Sequence, residues 1–337
     1  MRHLLLGLLT TVTLAQAQWN LALTESRASL RGVYNAGGGV IWASGANGTV
    51  LRSEDDGYMW QNCKVLPEMA KLDFRAVVAW DANHAQVMSS GTGSASRLYE
   101  TADGGATWHL LFANPDPKGF WDALVFQGTH AYILGDPVDG RFVLYHSNDG
   151  GRHWQPDNSP ELAAASEGEG AFAASNSSLA ILSDGTIFIG TGGLGGARIF
   201  RRDKSGRWSA VRAPLTTHKE SAGVFSLSFR DTTHGIAVGG DYEKSDDGTG
   251  AAASTSDGGL TWHAAQNPPS GYRSGVAWSQ KVNGWIAIGA NGSDISRDDG
   301  RTWKRLDAGN WNALSLPWAV GPNGRIGSLD IASPPVR

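Results

Sequence analysis

The stretch SRDDGRTW, residues 296–303, decides the fold of this 337-residue chain because it recurs. A hydroxyl residue, an Asp, a Gly and a Trp occupy the same relative positions in TSDGGLTW at 255–262, SNDGGRHW at 147–154, TADGGATW at 101–108 and SEDDGYMW at 53–60. A sixth, degenerate copy ends at Trp208, and we call each copy a box. The box aspartates, 41 to 54 residues apart, are Asp55, Asp103, Asp149, Asp203, Asp257 and Asp298. This period predicts one supersecondary unit repeated around or along an axis.

The composition favours an all-β protein. The chain holds 45 glycines and 14 tryptophans, which suit an array of short hairpins with one large ring per repeat. No stretch shows helical periodicity with caps. Because the repeat covers nearly the whole chain, we predict a single repetitive domain. The net charge of −4 gives no reason to expect a nucleic acid partner.

Each box follows the same order of strands. In the repeat that holds Trp303, segments 272–277, 284–289, 293–296 and 302–306 predict a four-stranded antiparallel meander. First strands of this kind begin near Leu30, Phe74, Trp121, Gly168, Val224, Tyr272 and Trp311. The last unit has three apparent strands and no box, and we expect residues 19–24 to supply its fourth strand. We therefore predict an all-β, seven-bladed β-propeller over residues 18–337, closed by the N-terminal strand, with an open solenoid as the alternative.

Residues 1–17 have the pattern of a signal peptide. A positive start at residues 1–3 precedes an apolar run at 4–14, and Ala15-Gln16-Ala17 fits a small-x-small cleavage site. We expect cleavage after Ala17 and a periplasmic or secreted protein, without a membrane span because the run is too short to be an anchor. Cys63 is the single cysteine, so an internal disulfide is excluded. We expect a monomer.

The box resembles the Asp-box, or bacterial neuraminidase repeat, of sialidases and other propeller families. The segment GVIWASGANGTVLRSEDDG, residues 39–57, is more specifically similar to propellers of the photosystem II stability and assembly factor type, in an exported bacterial form. The resemblance covers essentially the whole mature chain and implies the fold. Its implication for function is an analogy, since assembly-factor propellers are thought to chaperone partner proteins.

Several motifs invite a ligand site, and we interpret each as structural. The box aspartates and tryptophans are expected to shape turns on the face away from the binding site. Residues 190–195 match G-x-G-x-x-G, but strand-like residues 197–200 follow where a dinucleotide site needs a helix. The acidic loop at 241–247 lacks the spacing of an EF-hand, and Cys63 has no base beside it in sequence. We therefore predict no cofactor and no metal.

The first strands carry the candidate site, because in a propeller they line the central channel. One aligned position holds Arg31, Arg75, Asp122, Glu169, Phe225, Arg273 and Asn312, and the position before it adds Phe74, Trp121, Tyr272 and Trp311 as packing or stacking residues. Loops at 135–141, 190–196 and 239–250 are expected to rim the same funnel. The arginines either present forked donors to an anionic ligand or pair with Asp122 and Glu169 to satisfy charges in a wet channel.

Two classes of function follow. The first is a non-catalytic binding or assembly module that receives a peptide, a protein segment or a small anionic ligand, including a glycan. The second is a glycoside hydrolase of sialidase type, with Asp122 and Glu169 as its carboxylate pair. Residues 29–34, SLRGVY, depart from the Phe/Tyr-Arg-Ile-Pro stretch that sialidases carry before their first box. The binding module is therefore the preferred hypothesis.

Overall fold

The computed structural model describes residues 17–331, so the predicted signal peptide up to residue 16 lies outside the described residues, as do residues 332–337. The described chain forms seven antiparallel sheets, six of four strands and one of six. Helical structure in this range is confined to short 3-10 turns at Pro67–Met69, Gly93–Ala95 and Tyr242–Lys244. The prediction of an all-β, seven-bladed propeller is confirmed.

Each sheet contains one blade, and in the first six blades the strands follow the chain from the central channel outward. The first three blades comprise Leu30–Gly37, Val40–Gly45, Val50–Ser53 and Gln61–Asn62; Phe74–Ala79, Ala85–Ser89, Arg97–Thr101 and His109–Ala113; and Trp121–Gln127, His130–Val138, Arg141–Ser147 and Gln155–Pro156. The next three comprise Leu179–Ile181, Ile187–Gly190, Arg198–Arg202 and Trp208–Arg212; Lys219–Phe229, Gly235–Asp241, Ala252–Thr255 and His263–Ala264; and Gly275–Ser279, Gly284–Gly289, Gly292–Ser296 and Lys304–Asp307.

The prediction that blade 4 begins near Gly168 is wrong. Its first strand is Leu179–Ile181, and the earlier residues Glu169–Gly170 instead pair with Gly192–Gly193. This short pair extends the sheet of blade 5, since Gly192 and Gly193 also pair with the long strand Lys219–Phe229. Residues 171–178, between Glu169–Gly170 and the first strand of blade 4, therefore do not form a blade strand.

Blade 7 closes the ring with strands from both ends of the described chain. Its strands are Ala313–Ser315, Trp318–Val320, Ile326–Ile331 and, from the N-terminal end, Ala17–Ala22. The last two pair antiparallel, with Trp19 opposite Leu329. Leu30 and Ile41 of blade 1 share one apolar cluster with Val320 and Ile326 of blade 7. This contact excludes the open solenoid, because in a solenoid the first and last units do not meet.

The boxes are tight turns between the third and fourth strands. In the last box, Asp298 accepts hydrogen bonds from the backbone N–H of Thr302 at 2.9 Å and from its hydroxyl at 2.7 Å. Ser296 donates to Asp298 and accepts from the N–H of Gly300, and the Trp303 indole donates to the Gly300 carbonyl. The Asp therefore satisfies turn donors that water would otherwise have to reach.

The box glycine also lets neighbouring blades touch. Gly300 has φ +79°, and a Cβ placed on it would lie 2.3 Å from Cδ1 of Ile236 in blade 5. Ile236 and Val238 pack there against Trp285 and Trp303 of blade 6, all nearly fully buried. Large side chains between adjacent sheets therefore form the core, and the box fixes the approach of one blade to the previous one.

Candidate functional site

The central channel is divided by a segment that crosses it, residues 171–178, which we call the bridging segment. The Ala173 carbonyl accepts from Nη1 of Arg75 in blade 2 at 2.9 Å. The Asn176 side chain binds the backbone N–H and carbonyl of Leu124 in blade 3 at 2.7 and 2.9 Å. On the other side, the Ser175 hydroxyl donates to the Ser274 carbonyl. Because the segment is tied to blades on both sides, the channel is two separate chambers.

The upper chamber opens on the face opposite the boxes, where the second and third strands are joined. It has a volume of about 430 Å³. Its polar lining includes Arg31, Arg75, Ser274 and Asn312, and its aromatic lining is Phe172, Phe225, Tyr242, Tyr272 and Trp311. The lower chamber, of about 230 Å³, opens on the box face and is lined mostly by apolar residues of the first strands. Only the upper chamber joins arginines to aromatic rings.

Arg31 is the outstanding charge of the upper chamber. The side chain is half-buried, no carboxylate in residues 17–331 lies within ion-pair distance of it, and its Nε has no hydrogen-bond partner there. Burial, and next the charge of Arg75, lower the pKa of Arg31, while Asp73 and Tyr272 oppose the shift. The site therefore holds a cation whose surroundings favour an added anion.

Arg75 differs from Arg31 because two of its nitrogens, Nε and Nη1, donate hydrogen bonds within the protein. Its Nε donates to Asp73 at 2.8 Å, and its Nη1 holds the bridging segment through the Ala173 carbonyl. Asp73 thus forms its ion pair with Arg75 and not with Arg31. We infer that Arg75 positions the floor of the chamber, and that Arg31 is the free donor.

A shared backbone irregularity aims these side chains. Arg31, Arg75, Asp122 and Phe225 each lie at a break in register between the first and second strands of their blades. A bulge of this kind leaves one residue unpaired and re-aims its side chain. The structure thus places four of the predicted residues at equivalent positions.

Arg273 does not belong to this set, and its predicted place on the channel is wrong. It is 0% exposed and pairs with Asp294, which accepts from its Nε at 2.7 Å and also from Nη2. The Tyr272 carbonyl and the Asn291 side chain accept from Nη1, each at 2.6 Å. The next residue, Ser274, lines the chamber instead. An error of one position changes the face to which a strand residue points.

Glu169 also departs from its predicted position on a first strand. Its side chain is 0% exposed and forms an ion pair with Arg198, whose Nε lies 2.9 Å from Oε1. The Thr191 hydroxyl donates to the same oxygen at 2.6 Å, and the N–H of Ser166 donates to Oε2 at 2.8 Å. These bonds hold the Glu169–Gly170 strand on the edge of blade 5. The carboxylate is committed to this network.

Asp122 lies at the bulge of its blade but is 2% exposed, and its Oδ2 has no hydrogen-bond partner in the described chain. Burial, and next the charge of Asp136, raise the pKa of Asp122 well above its usual value, whereas Arg75 opposes the shift. Burial also raises the pKa of Asp136. Asp122 is thus a buried acid that favours its neutral form. Together with the engaged Glu169, it gives no open pair of carboxylates of the kind that glycoside hydrolysis uses.

Of the predicted aromatic positions Trp121, Tyr272 and Trp311, one is a core residue and two line the upper chamber. Trp121 is 0% exposed and stacks on Phe112 with ring centroids 5.1 Å apart, so it is a core residue. Tyr272 and Trp311 are also largely buried, yet both line the upper chamber. Asn312 lines it too, and its Nδ2 donates to the Leu30 carbonyl at 2.8 Å.

Two ring residues of the upper chamber have no counterpart among the predicted site residues. Phe172 lies on the bridging segment and stacks on Phe225 with centroids 3.8 Å apart. Tyr242 begins the 3-10 turn after the second strand of blade 5, and its ring centroid lies 6.1 Å from that of Phe225. Tyr272 meets Phe225 edge-on at 4.8 Å. We call Phe172, Phe225, Tyr242 and Tyr272 the aromatic wall.

The G-x-G-x-x-G segment, the acidic loop and Cys63 are accounted for by strand pairing, hydrogen bonding and burial. Within residues 190–195, Gly192–Gly193 is a strand and the strand Arg198–Arg202 follows, so the helix that a dinucleotide site requires is not formed there. In the acidic loop, Asp241 is engaged by Lys219 and by Ser221, both at 2.7 Å. Burial raises the pKa of Cys63 to about 12, which keeps the thiol protonated and unreactive at neutral pH.

In residues 17–331, no three His, Cys, Asp or Glu side chains are grouped as they would be around a metal ion. The helical turns in this range are too short and too polar for any of them to cross a bilayer.

Comparisons with known proteins show the fold. No family model and no curated protein matches the chain. It is similar to the solved structure of YCF48 bound to a D1 peptide, at 15% identity and TM-score 0.65, over 94% of this chain and 97% of that one. For YCF48 from Cyanidioschyzon merolae the values are 16%, 0.64, 92% and 98%.

A second group of similar structures are enzymes. The GH74 xyloglucanase from Xanthomonas campestris matches at 16% identity and TM-score 0.58, over 90% of this chain but 57% of the enzyme. The chain thus spans just over half the length of that enzyme and nearly the full length of YCF48. In architecture it is a single propeller like YCF48.

Proposed function

We propose that this protein is a non-catalytic binding or assembly module, which receives a peptide, a protein segment or a small anionic ligand in the upper chamber. The single observation that carries the proposal is Arg31, a half-buried guanidinium without a carboxylate partner in the described chain, facing a chamber of about 430 Å³. Guanidinium groups bind carboxylates through two parallel hydrogen bonds, which gives geometric specificity as well as affinity.

The architecture supports the same proposal. YCF48, a similar single propeller, has been solved with a D1 peptide. The upper chamber, at the end of the axial channel, has a volume of about 430 Å³, and clefts of about 300–1,000 Å³ are typical of ligand sites. The carboxylates that a glycosidase would need are buried at Asp122 and bound by Arg198 at Glu169. Binding without turnover is therefore the function that this arrangement supports best.

An array of immobilised decapeptides tests the proposal, with the wild type and Arg31→Gln applied at the same concentration. We expect the wild type to be retained by peptides that carry Asp, Glu or a free C-terminus, and the variant to lose this retention. Arg152→Gln, an exposed arginine in a box turn on the opposite face, is the matched control. Equal retention of wild type and Arg31→Gln would contradict the proposal.

The same preparation tests the enzyme alternative. Turnover of aryl sialosides or other aryl glycosides that disappears in Asp122→Asn or Glu169→Gln would establish a glycosidase and overturn the binding module. We expect no turnover above that of buffer. A loss that occurs in the variants only because they unfold is recognised by measuring their thermal unfolding in parallel.

We also propose that the protein acts outside the cytoplasm. The proposal rests on residues 1–17, with their positive start, apolar run and small-x-small ending. N-terminal sequencing of the protein recovered from its native compartment is expected to begin at Gln18. Recovery from the cytoplasm with Met1 retained would contradict it.

A further inference from the structure

We propose that the upper chamber binds an aromatic carboxylate, with the carboxylate on Arg31 and the ring against the aromatic wall. This inference rests on the proposed function and deepens it, because it names the class of ligand. The same chemistry comes from two sources, either the last residue of a protein chain that ends in Phe, Tyr or Trp, or a free aromatic acid.

The charged side of the chamber accepts one anion. Arg75 engages Asp73 and the bridging segment, so its charge is partly balanced. Arg31 lies near enough to Arg75 to be repelled by it, and no carboxylate of residues 17–331 forms an ion pair with Arg31, although the charge of Asp73 acts against the repulsion. A ligand carboxylate would offset both the repulsion by Arg75 and the desolvation cost of the buried guanidinium. A neutral amide of the same shape would relieve neither.

The opposite side of the chamber is built from rings. Phe172 and Phe225 are nearly parallel, with an interplanar angle of 15°, and Tyr272 and Tyr242 meet Phe225 edge-on. Tyr242 is 49% exposed, so part of its ring is free for contact with a ligand. A ligand ring would extend this cluster through the same stacked and edge-on contacts. Tyr272 and Arg31 line the same chamber, so the aromatic and the charged side adjoin each other.

The floor of the chamber limits the size of the ligand. Phe172, Ala173 and Ala174 of the bridging segment line the upper chamber, whereas Ser175, Asn176 and Ser177 line the lower one. A chain therefore enters from the upper face and stops, and it cannot thread the propeller. A volume of about 430 Å³ lies toward the small end of ligand sites, which suits one terminal residue or one small acid.

Calorimetric titration of the whole protein tests the inference with three probes: N-acetyl-L-phenylalanine, its C-terminal amide and N-acetyl-L-alanine. We expect the phenylalanine acid to bind at least about tenfold more tightly than either other compound. A glycine-rich hexapeptide ending in a free phenylalanine distinguishes the sources. Tighter binding of the hexapeptide identifies a chain end, and equal binding identifies a free acid.

Variants separate the two sides of the chamber. Arg31→Gln is expected to lose binding of the phenylalanine acid, whereas Tyr242→Ala is expected to lose its preference over the alanine acid and to keep dependence on Arg31. Tyr58→Ala is the matched control for an exposed tyrosine, since Tyr58 is 86% exposed in the first box turn. Circular dichroism and thermal unfolding establish that each variant is folded.

The failures of the two proposals are distinguishable. Equal affinity for the alanine and phenylalanine acids, still dependent on Arg31, would overturn the aromatic ligand and leave the anion-binding module standing. Binding that survives in Arg31→Gln would contradict both. If none of the three compounds binds at millimolar concentration, the aromatic ligand is wrong, and the peptide array alone decides the proposed function.

Discussion

Arg31 and Arg273 are predicted from sequence at one level of the channel, and the structure gives them opposite surroundings. Arg273 is fully buried, and Asp294, Asn291 and the Tyr272 carbonyl accept its N–H groups. Arg31 has an unpartnered Nε and no ion pair in the described chain. Arg273 is part of the core of its blade, and Arg31 is available to a ligand. Residue type does not identify a binding residue; its partners do.

The largest effect on stability is expected from Arg273→Gln. The change leaves Asp294 buried, at 0% exposure, without its counter-charge. Removing one partner of a buried ion pair costs about 3–5 kcal/mol. Urea unfolding is expected to give a free energy of unfolding that is lower by this amount. The double variant Arg273→Gln with Asp294→Asn is expected to recover part of the loss. A single-variant loss below about 1 kcal/mol, as for surface pairs, would show that the pair is not structural.

A smaller effect is expected from Glu169→Gln. The carboxylate is buried, but Arg198 is 20% exposed, so water can partly replace the lost charge on that side. We expect a loss of about 1–3 kcal/mol in the free energy of unfolding, because charged hydrogen bonds in the network are weakened. Thermal and urea unfolding measure it. Unchanged stability would contradict the claim that the Glu169 carboxylate stabilises the position of its strand.

The boxes are expected to respond to acid in a moderate way. Hydrogen bonds from the Thr107 hydroxyl, and next from its N–H, lower the pKa of Asp103 to about 2. Burial works against ionisation of Asp257, but bonds from Thr261 outweigh it and lower this pKa to about 2 as well. A carboxyl with a pKa near 3.9 in the unfolded chain and about 2 in the folded one stabilises the fold above about pH 4. That contribution is lost as the pH falls from about 4 to 2.

Urea unfolding at pH 5 and at pH 2.5 checks this expectation, with a lower midpoint at pH 2.5. Asp103→Asn is expected to unfold more readily than the wild type at pH 5, and to lose less between the two values. An equally large loss in both proteins would assign the acid sensitivity to other carboxyls.

The sequence predicted the architecture because the boxes set the register of each blade. It located Arg31, Arg75 and Asn312 on the upper chamber, since the first strands of blades 1, 2 and 7 follow that register. It failed for Glu169, because the alternating pattern near Gly168 belongs to a short pair on a neighbouring sheet. A residue pattern does not specify which of two edges it will pair with.

Two residues of the aromatic wall, Phe172 and Tyr242, were missed for a related reason. Phe172 and Tyr242 lie on the bridging segment and on a 3-10 turn, where no repeat supplies an alignment. Their position depends on long-range contacts, such as the bond from Arg75 to the Ala173 carbonyl across 98 residues. The available signal was a large ring, at Phe172 and at Tyr242, within a segment of small or polar residues.

Side-by-side comparison of Arg31→Gln and Arg273→Gln tests the central claim most directly, by urea unfolding and by retention on the peptide array. We predict that Arg31→Gln unfolds within about 0.5 kcal/mol of the wild type, or more stably because a repelled cation is removed, and loses retention. Arg273→Gln is predicted to lose stability instead. If Arg31→Gln is destabilised as strongly as Arg273→Gln, or still binds the same peptides, Arg31 is not the ligand contact of this propeller.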